Sequence, residues 1–106
     1  MHNEQRLTRR KVLKVKAQLT MEGEQTIPAR TIDVGGEGLC LAAPIALKAG
    51  AIGMVRFEIF YEGKSVPIAA RSRVQYCILS NDEYKIGLKF VNLELSAMAS
   101  LSKFLH

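Results

Sequence analysis

Five apolar residues, Leu13, Val15, Ala17, Leu19 and Met21, alternate with Lys14, Lys16, Gln18 and Thr20, and the same period of two returns along most of the chain. In an extended strand successive side chains point to opposite faces, so this rhythm buries one face and wets the other. Val55, Phe57, Ile59 and Tyr61 repeat it, as do Val66, Ile68, Ala70, Val74, Tyr76 and Ile78, and then Tyr84, Ile86, Leu88 and Phe90. Turn signals separate the runs: Glu22-Gly23-Glu24, Gly35-Gly36, the loop from Pro44 to Gly50, Glu62-Gly63 and Ser80-Asn81-Asp82. A second strand is expected over 25–34, where Pro28 marks an edge or bulge, and a short third one over Gly38–Ala43. Six consecutive antiparallel strands in 106 residues should curl into a barrel, because closure removes vulnerable edges. The period changes only at the end, where Leu95, Met98, Leu101 and Phe104/Leu105 recur at helical spacing with Ser96 and Ser100 outside the stripe. The expected fold is all-β: a six-stranded antiparallel β-barrel with a short C-terminal α-helix. One domain spans residues 12–106, and residues 1–11 form a flexible basic arm ahead of it.

That arm holds the net charge. Residues 1–16 carry Arg6, Arg9, Arg10, Lys11, Lys14 and Lys16 against Glu4 alone, whereas the rest of the chain balances nine basic residues with nine acidic ones. The whole +5 therefore sits at the N-terminal end, where it should attract a phosphate-bearing ligand or a polyanion. Catalytic sets are missing. The only histidines, His2 and His106, stand at the two termini and complete no Ser-His-Asp or Cys-His arrangement. The two cysteines, Cys40 and Cys77, fall in expected strands, read as buried thiols and make a poor zinc set, so neither metal nor cofactor is expected. No apolar run approaches the roughly 20 residues of a bilayer span, and the polar N-terminus lacks a secretory h-region. The expected location is the cytoplasm.

Two short motifs give the arm a counterpart. Arg6-Leu7-Thr8-Arg9-Arg10 sets two guanidiniums four residues apart, and Asp33-Val34-Gly35-Gly36-Glu37-Gly38 sets one carboxylate in a glycine-rich turn. Arginine's planar fork can bond guanine O6 and N7, hold a phosphate or stack on a base. A carboxylate can accept from the N–H groups on guanine's other edge, and backbone N–H groups in such a turn suit an anionic oxygen. In this order the motifs resemble those of the PilZ domain, a bacterial receptor module for cyclic di-GMP whose signature is R-x-x-x-R followed by [D/N]-x-S-x-x-G. The resemblance continues through Leu39-Cys40-Leu41, Leu47-Lys48-Ala49-Gly50 and Tyr84-Lys85-Ile86-Gly87-Leu88-Lys89-Phe90, and so covers essentially the whole chain.

The resemblance implies a receptor or adaptor that binds cyclic di-GMP and passes the signal to a protein partner. Arg6 and Arg10 would clamp the ligand, Asp33 would take a guanine edge and Gly38 would permit the close turn, with Gln5 and Arg9 as secondary candidates. Gly35 stands where the family has serine. One lost hydroxyl bond is worth about 0.5–1.5 kcal/mol, so restoring serine should tighten binding unless Gly35 sits at positive φ. Two alternatives stand beside this reading: an adaptor that binds a protein partner without nucleotide, and a basic barrel for single-stranded nucleic acid. Against the second, there is no tryptophan, and Phe57, Tyr61, Tyr76, Tyr84 and Phe90 fall on expected core faces.

Overall fold

A computed structural model describes residues 9–106. It contains β1 (Arg10–Val12), β2 (Lys16–Met21), β3 (Thr26–Gly35), β4 (Gly38–Ala43), β5 (Ile52–Tyr61), β6 (Lys64–Ser80), β7 (Glu83–Asn92) and one helix, α1 (Leu95–Leu105). Strands β2 to β7 pair antiparallel around a closed ring in the order β3-β2-β5-β6-β7-β4, and the β3–β4 pairing completes it. This is the six-stranded barrel expected from the alternation, with the terminal helix added. No described helix is long and apolar enough to cross a membrane.

The inward-facing residues form the core. Leu19, Val34, Leu41, Val55, Ile59, Ile68, Val74 and Ile86 are at most 2% exposed. Tight turns connect the long strands: Glu62 (φ 53°) with Gly63 (φ 73°), and Asn81 (φ 52°) with Asp82 (φ 68°). Paired left-handed residues match the right-handed twist of a hairpin.

Arg10 and Lys11, placed by the sequence pattern in the arm, belong to a seventh strand. β1 lies against the end of β3 with Arg10 opposite Gly35, Lys11 opposite Val34 and Val12 opposite Asp33. β2 pairs with the other half of β3, from Thr26 to Arg30. The chain between β1 and β2 crosses the buried side chain of Thr31. Its Oγ1 accepts from the Val15 N–H at 3.0 Å and donates to the Leu13 carbonyl, while the Thr31 N–H bonds the Val15 carbonyl at 2.8 Å. A buried hydroxyl thus supplies partners that the interrupted ladder lacks.

Two expectations about facing need correction. Tyr76 and Ile78 do not share the core face with Val74. The register moves from Val74↔Leu88 to Tyr76↔Gly87, so Gln75 is an extra residue, and beyond it the alternation inverts. Tyr76 and Ile78 are 41% and 55% exposed, while Cys77 packs against the core half-buried; both cysteines are free thiols. The helix is also rotated from its expected stripe. It docks through Leu101 and Phe104 with Ala97 packed beside them, leaving Leu95 82% and Met98 49% exposed. The small Ala97 and the half-buried Ser100 allow this face to approach the barrel.

Candidate functional site

Asp33 reaches the outside of the barrel because of a second bulge. Along β3, Ile27, Ala29 and Thr31 face inward, so strict alternation would turn Asp33 inward too. The register instead passes from Thr31↔Leu41 to Asp33↔Cys40, and Ile32 is the extra residue. Val34 then enters the core and Asp33 comes to the outer face. The bulge in β6 does the same for Tyr76. Across four neighbouring strands the pairings align Asp33, Cys40, Gly87 and Tyr76 in one row.

Arg10 closes one end of that row. Its Nε and Nη2 both donate to Asp33 Oδ1, at 2.9 and 2.6 Å, with side-chain exposures of 44% for Arg10 and 31% for Asp33. At the other end the Tyr76 ring lies directly on Gly87, where an added Cβ would meet ring carbons at 2.2–2.7 Å. The Tyr76 hydroxyl donates to Cys40 Sγ at 3.7 Å. That bond, together with partial burial and the negative charge of Asp33, raises the phenol above its ordinary value of 10.0, and the Arg10 guanidinium opposes the shift. A hollow of about 280 Å3 lies along the row, bordered also by Glu37, Lys85 and Lys89. A larger concavity of about 1120 Å3 lies against β2, β5, β6 and α1, but none of the motif residues lines it. Arg10, Asp33 and Gly38 of the motifs border the smaller hollow.

Of the sequence candidates, Arg10, Asp33, Gly35 and Gly38 are brought together here. Arg9 is exposed immediately before β1, and its carbonyl lies against Gly35. Arg6 and Gln5 lie outside the described residues. The two glycines serve close approach rather than a turn. Gly35 and Gly38 are both outside the positive-φ set of Gly23, Gly50 and Gly63. A Cβ on Gly38 would stand 2.0 Å from the Leu88 carbonyl oxygen, so glycine lets β4 pair tightly with β7. A Cβ on Gly35 would stand 2.9 Å from the Arg9 carbonyl oxygen and 3.3 Å from Arg10 Cγ. The obstacle to a side chain there is the neighbouring strand, not the backbone angle. Sequence reasoning missed Tyr76, Lys85 and Lys89. The one available signal was Gly87, a small residue in an otherwise bulky strand, which marks a close approach.

A family model of the PilZ domain matches residues 4–106. The chain belongs to the PilZ family. PilZ domains are a cyclic di-GMP receptor family, which supports that general kind for this chain. Among solved structures this PilZ domain is similar to the Bacillus subtilis inhibitor of motility (MotI/DgrA), with a TM-score of 0.84 at 12% identity. The similarity covers 99% of this chain and 50% of that protein, so the chain spans half its length. At that identity the likeness is one of fold. A search of curated proteins finds no match.

Proposed function

We propose that this PilZ domain is a receptor for cyclic di-GMP that relays the signal to a protein partner. The observation that carries the reading is the meeting of Arg10 and Asp33, 23 residues apart in sequence, on an outward face beside an aromatic ring. Arg10 and, from the preceding segment, Arg6 clamp guanine and phosphate groups. Asp33 accepts from a guanine edge, and Lys85 and Lys89 neutralise phosphate charge at the rim. Tyr76 offers the apolar face on which a base can lie. Arg9 and Gln5 serve as secondary contacts, and Gly35 and Gly38 let the neighbouring β1 and β7 close up beside the site.

Calorimetric titration with cyclic di-GMP, beside GTP and a short single-stranded DNA, tests the reading. Arg10→Ala and Asp33→Ala should each lower cyclic di-GMP affinity by at least about tenfold, since a charged hydrogen bond is worth about 1.5–3 kcal/mol. Arg10→Ala should barely move the melting temperature, because exposed pairs contribute about 0–1 kcal/mol. Affinity within threefold of the parent for both variants would overturn the assignment. A parent that binds none of the three ligands would be the nucleotide-free adaptor.

A further inference from the structure

Gly35 is the position at which this chain leaves the family motif, and it is also where β1 rests. Arg10 pairs with Gly35 in the β1–β3 register, and the Arg9 carbonyl oxygen lies 2.9 Å from where a Cβ would stand. Real Cβ atoms are essentially never that close to backbone, so with a side chain at 35 something in the contact between β1 and β3 must shift. The same strand carries the guanidinium that occupies Asp33 Oδ1. Its far side is held by Lys11, whose Nζ donates to the Phe104 carbonyl at 3.1 Å and stands 4.3 Å from the centre of the Phe104 ring.

We propose that Gly35 permits an autoinhibitory clasp, in which β1 closes on β3 and Arg10 withholds Asp33 from a nucleotide until the ligand displaces it. The inference rests on the receptor reading above. A serine at this position of the chain would bring a Cβ against the Arg9 carbonyl and keep β1 from seating as closely. The glycine thus costs the site more than a hydroxyl: it adds an internal competitor.

Gly35→Ala separates the two effects, because it restores the Cβ without the hydroxyl. Hydrogen exchange of the parent without ligand should show the ladder amides of Lys11 and Leu13 protected, and Gly35→Ala should speed their exchange at least about tenfold. The same variant should bind cyclic di-GMP about two- to fivefold more tightly, the range released by one partly exposed ion pair. Gly35→Ser should bind at least as tightly as Gly35→Ala. Unprotected Lys11 and Leu13 amides in the parent overturn the clasp whatever the variants do. An opened β1 in Gly35→Ala with unchanged or weaker cyclic di-GMP affinity overturns the competition while leaving the receptor reading in place. A parent and variants that all fail to bind cyclic di-GMP overturn the receptor reading and the competition with it.

Discussion

Tyr76 and Gly87 show how one side chain depends on the absence of another. The ring occupies space that any Cβ at 87 would claim, so the phenol lies flat on the barrel wall with its hydroxyl at Cys40 Sγ. The raised pKa has a definite sign for stability. A group that holds its proton more tightly when folded stabilises the fold fully below its unfolded value, here 10.0, and loses that contribution as pH rises through the folded value. Tyr76→Phe removes the titration. Alkaline melting curves should therefore fall less steeply above pH 10.0 for Tyr76→Phe than for the parent, and coincident curves would show that the hydroxyl bond is absent in solution.

At the scale of elements, two contacts decide how strand and helix are seated. Thr31 joins the break between β1 and β2 through its hydroxyl and is fully buried. Thr31→Val keeps the shape but leaves the Val15 N–H without that acceptor, which should destabilise the domain by about 1–3 kcal/mol. A denaturant midpoint equal to the parent's would mean that water or a shifted backbone replaces the bond. The helix gives a sharper contrast, since its Leu101 is 2% exposed and its Leu95 82% exposed. Leu101→Ala should cost about 2–5 kcal/mol, whereas Leu95→Ala should stay within about 0.5 kcal/mol. Similar losses for both would mean that the helix docks on the stripe expected from periodicity rather than on the one observed.

For the molecule as a whole, the charge distribution separates ligand classes. The entire net charge of +5 arises within residues 1–16, of which Arg10 and Lys11 lie on β1. A cyclic dinucleotide carries only two phosphates, so affinity should fall with salt with a log–log slope no steeper than about −2, whereas a strand-binding groove releases about 0.7 counterions per phosphate contacted and shows a steeper slope. Titrations at several salt concentrations decide between them. A steep slope with base-indifferent binding to single strands would favour the nucleic-acid reading.

The sequence by itself determined the six barrel strands, their turns, the family and the motif residues, because alternation and glycine chemistry are local and survive without knowledge of any partner strand. Arg10 and Asp33 were legible for the same reason: each belongs to a short motif. The tertiary structure decided which way the side chains point. A bulge is a mismatch between two strands, so the extra residues Ile32 and Gln75 become visible only once β3 is set against β4 and β6 against β7. Those two mismatches turn Asp33 and Tyr76 onto the same outer row. Gly35 shows the same limit. Its letter marks a departure from the motif, but the steric demand there comes from the Arg9 carbonyl, which only the pairing of β1 with β3 brings within 2.9 Å.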